Sequence, residues 1–232
     1  MGRPGAARSP VWLFDLDNTL HNASHHVFGA LNVAMTDFIV RELQLPRDEA
    51  NALRGHYWRR YGATMLGLVR HHGIRAAHFL ADTHALPELE RHVHTHAHDL
   101  AALKRLRGRR YILTNAPAIY AQRVLVQLGM AHLFDGVIAV EQMRMFGHLR
   151  PKPDRRLFRH IAARLRVPAR RCVLVEDTLE HQKSARAVGM QTVWMQRWAR
   201  QGLASPHGRV RMARKPAYVD QRVRSLGDLR AR

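Results

Sequence analysis

The chain has 232 residues, enough for one substantial domain or for a domain with a smaller insertion, and a core of that size needs no disulfide or structural metal to hold it. Its only cysteine, Cys172, has no partner within the chain, and no segment approaches the roughly 20 apolar residues of a membrane span, so a reducing compartment, the cytoplasm, is expected and a membrane role is not. The formal charge is +20, but only Lys104, Lys152, Lys183 and Lys215 among the 38 basic residues are lysine, and the arginines form no block; this is the pattern of a solvated surface rather than of a nucleic-acid stripe.

The amino terminus carries Arg3 and Arg8, and the apolar run that follows is interrupted by Asp15 and Asp17, which a signal-peptide core would not hold. Val11 to Phe14 is a short β-rich run and predicts a buried strand. From about Ser24 to Asp99 the pattern turns helical: Leu31, Met35, Phe38, Ile39 and Leu43 share one face, and Pro46 opens a second helix carrying Leu53, Tyr57 and Trp58. Strands are then expected at Tyr111 to Leu113, Val137 to Val140, Cys172 to Val175 and Thr192 to Met195, with a weak one at Tyr218 and Val219. Helices fall between them: Ala118 to Leu128 before Gly129, a stretch through Leu157, Phe158, Ile161 and Leu165, and His181 to Val188 before Gly189. Gln196 to Pro216 is rich in glycine, proline and arginine and suits a long surface loop. This alternation predicts an α/β fold, a doubly wound parallel sheet, with the core at 1–22 and 100–232 and an inserted helical cap at 23–99.

Ligands of such sheets bind beyond the carboxyl ends of the strands, and four groups of polar residues fall there. Asp15 and Asp17 end the first strand, where buried carboxylates are costly unless a hard cation compensates them; taken alone, the pair also fits a strand end followed by an Asp-Asn turn. Thr114 and Asn115 end the second strand, where hydroxyl, amide and main-chain N–H groups suit phosphate oxygens, although a helix cap is the plainer use of either. Lys152 stands between Pro151 and Pro153, stiffened and able to neutralise phosphate, or simply solvated. Glu176 and Asp177 end a further strand and suit a metal site or a helix cap.

The segments FDLDNTL, ILTNAP, Lys152 within RPKPD with Phe158 following, and VEDTLEHQKSA together resemble the four motifs of haloacid dehalogenase-like hydrolases, over nearly the whole chain. Within that superfamily DLDNTL, YGATMLGLVRHHGI and RPKPD are most similar to the pyrimidine 5′-nucleotidase group. The resemblance implies a magnesium-dependent phosphatase acting on a small phosphorylated substrate, a nucleoside 5′-monophosphate. Asp15 would be the nucleophile, and Asp17 the acid that protonates the leaving alkoxide and then activates water. Asp15, the main-chain carbonyl of Asp17, and Asp177 would hold Mg²⁺, Glu176 would orient its waters, and Thr114, Asn115 and Lys152 would grip the phosphate. Carbon–halogen cleavage needs no acid at position 17, so dehalogenation is disfavoured. A sugar-phosphate phosphatase or mutase would share the same motifs. His181 stands where the group often has Asn or Gly, which bears on metal affinity if that residue orders the metal loop.

Some residues invite separate readings. His92, His94, His96 and His98 would face one way on a strand, as in a zinc cluster, but their surroundings predict a helix, which splits them over two faces; surface histidines are the expectation there and at His71 and His72. Tyr61, Thr64 and Met65 reach a substrate or pack the cap's own helices. The alternative of a different class is a nucleic-acid-binding protein on an inactive phosphatase-like core, resting on the charge and the loop from Arg197 to Lys215.

Overall fold

The computed structural model describes residues 9–24, 26–198 and 214–230. Most of the loop from Arg197 to Lys215, and Arg3 and Arg8, therefore lie outside the described residues. Among the described residues no helix is long and apolar enough to cross a membrane.

The chain begins with β1 (Val11–Phe14) and continues through four helices, α1 (Val27–Leu43), α2 (Arg47–Tyr61), α3 (Thr64–His72) and α4 (Ala76–Thr83). After a 3₁₀ turn at Leu89–His92 come α5 (Ala97–Arg105), β2 (Arg109–Leu113), α6 (Ala118–Gln127) and β3 (Gly136–Ile138). A two-stranded antiparallel hairpin, β4 (Arg144–Met145) with β5 (His148–Leu149), precedes α7 (Arg155–Arg164), β6 (Cys172–Glu176), α8 (Leu179–Arg186), β7 (Gln191–Met195) and β8 (Gln221–Val223).

Six strands form one parallel sheet in the order β3-β2-β1-β6-β7-β8. Alternation along β1 divides its side chains between the two faces. Trp12 and Phe14 join Ile112, Val173 and Val193 with Tyr120 and Val124 of α6 and Leu103 of α5. Val11 and Leu13 join Cys172 and Leu174 with Leu157, Phe158 and Ile161 of α7. Helices on both faces explain why these strands read as unbroken apolar runs rather than as polar–apolar alternation.

A third apolar cluster belongs to the helical layer: Phe38, Ile39, Ala50, Tyr57, Met65, Leu68, Phe79 and Leu80, with Val140 reaching in from beyond β3. Leu86, Leu89 and Val93, later in the same inserted stretch, pack instead with the sheet's own cluster. The layer meets the sheet's loops at the end of α2. Gly62 has φ +77°, and its N–H bonds to Trp58 O at 2.8 Å; a Cβ on Gly62 would stand 3.2 Å from Pro153 Cδ.

Two expectations need adjustment. The last strand is Gln221–Val223 rather than the run at Tyr218 and Val219, because Thr192 and Asp220 settle the approach first: Thr192 Oγ1 donates to Tyr218 O at 2.8 Å and Thr192 N–H to Asp220 Oδ2 at 2.9 Å, and pairing with β7 starts just after. The third strand stops at Ile138, since Val140 leaves it to fill the helical layer's cluster.

Candidate active site

β1 and β6 are neighbours in register, with Phe14 opposite Val175, so Asp15 and the pair Glu176–Asp177 emerge side by side at the carboxyl edge of the sheet. Lys152 comes from the loop ahead of α7. Its main chain is clamped by Asn115, whose Oδ1 accepts from Lys152 N–H at 3.0 Å and whose Nδ2 donates to Lys152 O at 2.9 Å. Asp154, two residues on, caps α7 by accepting from Arg156 N–H at 2.8 Å. Held in this way, the Lys152 ammonium donates to Asp15 Oδ1 at 2.7 Å and to Glu176 Oε2 at 2.6 Å, with only 1% of the residue exposed.

Three acids face one lysine in a buried place, and their proton affinities record the imbalance. Burial raises the Asp15 carboxyl well above the usual range, and Glu176 raises it further against the pull of Lys152. Burial, Glu176 and Asp15 together raise Asp177 likewise. Glu176 goes the other way: burial would raise it, but the Lys152 ammonium and His181 outweigh that and hold it well below the carboxylate range. Burial works to lower Lys152, and Asp15 and Glu176 overcome it, so the ammonium keeps its proton more firmly than a free lysine.

This surplus of negative charge suits a cation. Asp15, Glu176 and Asp177 each present an oxygen, all within 4.8 Å of one another, and among the described residues this is the only grouping of three or more histidine, cysteine or acidic side chains close enough to share an ion. Carboxylate oxygens alone are a donor set for a hard divalent metal. The residues present therefore fit a metal ion. His181 Nδ1 lies 3.0 Å from Glu176 Oε2, so this histidine faces the acidic cluster.

The structure brings together Asp15, Lys152, Glu176 and Asp177, with Asn115 fixing Lys152 from behind. Both polar atoms of the Asn115 side chain are engaged with the Lys152 main chain. Thr114 is buried at the end of β2, and its Oγ1 accepts from Ala116 N–H at 3.0 Å. The Asp17 side chain is held by Tyr120 and His21: Tyr120 OH donates to Asp17 Oδ1 at 2.6 Å, and His21 Nε2 lies 2.9 Å from the same oxygen.

Tyr120, His21 and Gln182 escaped the sequence reading. Gln182 Nε2 donates to Glu176 O at 2.9 Å and to Val193 O at 2.6 Å, holding the ends of β6 and β7. Tyr120 lies on the apolar face of α6 and passes for core; the available signal is that a buried tyrosine hydroxyl requires a partner. His21 stands four residues after Asp17, a spacing that would pair them on a helix, whereas here a tight loop brings them together through a bridge between the two residues.

The other singled-out residues fall elsewhere. Thr64 and Met65 are buried, Thr64 Oγ1 donating to Arg54 O at 3.1 Å and Met65 joining the helical layer's cluster, while Tyr61 OH pairs with His71 Nε2 at 2.6 Å. The alternating histidines follow no continuous helix: His92 ends the 3₁₀ turn, His94 and His96 lie in irregular chain, and His98 is in α5, because the chain must cross to the sheet and bury Val93 there. His26 and His92 approach with ring centroids 4.5 Å apart, and His96 stacks on Trp198 at 5.5 Å. These rings line a cavity of about 390 Å³ that borders the loop after Asp17 and lacks the acidic cluster.

Comparison with known proteins places the chain in a family. A family model described as haloacid dehalogenase-like hydrolase matches residues 11–189. Phosphate metabolism protein 8 of Saccharomyces cerevisiae is 30% identical over 142 residues, 58% of this chain and 44% of that protein. Fructose-1-phosphate phosphatase YqaB of Escherichia coli is 35% identical over 80 residues, 34% of this chain and 40% of that protein. The chain thus spans about two-fifths of the length of these curated relatives. Among solved structures, a HAD phosphatase from Thermococcus onnurineus has a TM-score of 0.59 at 22% identity, covering 94% of both chains, and CbbY from Rhodobacter sphaeroides, solved in complex with phosphate, has 0.59 at 17%, covering 95% of this chain and 96% of that one. At such identities these structures establish a shared fold. With its model spanning all four motifs, the chain belongs to the haloacid dehalogenase-like hydrolase family.

Proposed function

We propose that this protein is a magnesium-dependent phosphatase that hydrolyses small phosphate monoesters, with nucleoside 5′-monophosphates as the substrate class. The observation that carries this reading is the buried convergence of Asp15, Lys152, Glu176 and Asp177, with a second acid, Asp17, two residues from the nucleophile. Asp15 attacks phosphorus while the leaving oxygen takes a proton from Asp17, giving an aspartyl-phosphate and the free alcohol. Water then attacks the same phosphorus, Asp17 takes its proton, and Asp15 is released with inorganic phosphate. Lys152 has three N–H donors; two are engaged with Asp15 and Glu176, and the third, without a partner among the described residues, is available to a phosphate oxygen, with Thr114 and the main chain of Asn115 at the end of β2. Asp15, Asp177 and the main-chain carbonyl of Asp17 would hold Mg²⁺, with Glu176 orienting its waters, and the ion when bound neutralises the phosphate and the crowded acids.

Residues 23–99 act as the cap over this core. Support comes from the separate apolar cluster of α1 to α4 and from the seat of Gly62 against Pro153, next to Lys152. The single buried Cys172, whose thiol burial pushes up to about 11, is unreactive and consistent with the cytoplasm. The name of the Escherichia coli relative favours a second substrate class, sugar phosphates. Phosphate release from a panel of nucleotides and sugar phosphates, with magnesium and with chelator, separates the two. Asp15→Asn abolishes release while leaving the chain folded; turnover retained by that variant refutes the assignment.

A further inference from the structure

We infer that Tyr120 and His21 are positioning residues that fix which oxygen of Asp17 carries the catalytic proton. The inference rests on the acid–base role proposed above for Asp17 and adds the device that aims it. Tyr120 OH and His21 Nε2 reach the same atom, Asp17 Oδ1, at 2.6 and 2.9 Å. A phenol has a single proton to give, so in this contact Oδ1 is the acceptor. His21 Nε2 lies at the same oxygen and donates to it in the tautomer that carries the Nε2 proton. His21 Nδ1 is buried with no hydrogen-bond partner among the described residues, which leaves the imidazole no other polar task.

Two donors on Oδ1 leave Oδ2 as the place for a carboxyl proton. Among the described residues Oδ2 has no hydrogen bond, and the Asp17 side chain retains 17% exposure while His21 has none. In the first displacement the Asp15–phosphorus bond forms, the phosphorus–oxygen bond to the leaving group breaks, and the Oδ2 proton passes to the departing oxygen. In the second, water's oxygen bonds to phosphorus, the Asp15–phosphorus bond breaks, and water's proton returns to Oδ2. The clamp is silent in both steps: it occupies Oδ1 and leaves Oδ2 as the oxygen open to the reacting group.

The fold holds each donor independently. The turn after Asp17 is fixed by Asn18, which takes φ +57° and whose side chain accepts from Ser24 N–H at 2.9 Å and donates to Ser24 Oγ at 2.8 Å. Tyr120 is fully buried on α6, and the His84 ring at the end of α4 meets it edge-on with centroids 5.7 Å apart. The aim of the acid is therefore set from three directions: its own loop, the core helix α6 and the helical layer.

The test compares two leaving groups. Nitrophenolate departs without an acid, whereas a nucleoside alkoxide needs one, and kcat/KM reports the first displacement alone. Tyr120→Phe lowers kcat/KM for a nucleoside monophosphate by about tenfold or more, and for p-nitrophenyl phosphate by less than about threefold. His21→Leu shows the same split, and His21→Gln, which keeps an N–H donor, recovers most of the loss. Asp17→Asn sets the ceiling of the effect on the nucleotide. Equal losses on both substrates in Tyr120→Phe and His21→Leu overturn the inference while leaving the phosphatase reading intact. A wild-type chain that hydrolyses neither ester sinks both together. Should Tyr120→Phe fail to fold, the histidine pair decides.

Discussion

The carboxyl edge of the sheet and the helical layer of α1 to α4 are built on opposite principles. At the sheet's edge, ionisable groups are driven into the interior, and each is tolerated only through the next: Lys152 between Asp15 and Glu176, Asn115 behind Lys152, Tyr120 and His21 on Asp17. In the layer the interior is apolar, around Phe38, Tyr57, Leu68 and Phe79, and charges pair at the surface, as Arg41 does with Asp82 at 2.8 Å. An isolated buried charge costs several kcal/mol, so chemistry dictates residue identity in the first region. Volume and shape suffice in the second, where many substitutions serve equally well.

The sharpest way to break this contrast is Lys152→Ala. Removing one partner of a buried ion pair costs roughly 3–5 kcal/mol, and the loss is largest with chelator present, because added magnesium stabilises a protein whose acids have lost their own cation. Thermal unfolding with and without the metal measures it; a variant as stable as the parent in chelator means that the lysine does not compensate the acids.

His84 lies where the two regions meet. Burial lowers its pKa to about 4 from the usual 6.5. Between those values the unfolded chain binds a proton that the native imidazole refuses, so this stabilisation is whole above about 6.5, is lost as pH falls toward 4, and amounts to at most about 3 kcal/mol. Denaturant unfolding of the parent and of His84→Gln across that window shows a steeper loss of stability toward low pH in the parent; parallel curves contradict it. A smaller effect is expected inside the layer. A Cβ on Gly67 would stand 2.1 Å from Tyr57 Cγ, so Gly67→Ala forces repacking at about 1–3 kcal/mol, with phosphate release per folded molecule unchanged.

The same division sets what was legible in the sequence. Asp15, Lys152, Glu176 and Asp177 stood out because polar residues at the ends of apolar strands break the pattern around them, and the structure does bring those four together. The strands and the helix ends at Pro46, Gly129 and Gly189 were readable for the same reason, as interruptions of periodicity. Tyr120 was not, since a tyrosine on an apolar helical face has the same period as a leucine. The β4–β5 hairpin was missed because each strand has two residues, too few to show alternation. The alternating histidines misled because their surroundings suggested a helix, whereas the chain there follows the demand to bury Val93.

The place of β1 has a consequence for how such a protein can change. It is bonded along both edges, to β2 on one side and β6 on the other, with further strands outside each. Sliding it by a residue would tear two ladders at once and turn Trp12 and Phe14 toward the wrong face. Asp15, which follows this strand, is thus anchored where the sheet is bonded on both sides, and the outer helices can change without disturbing it.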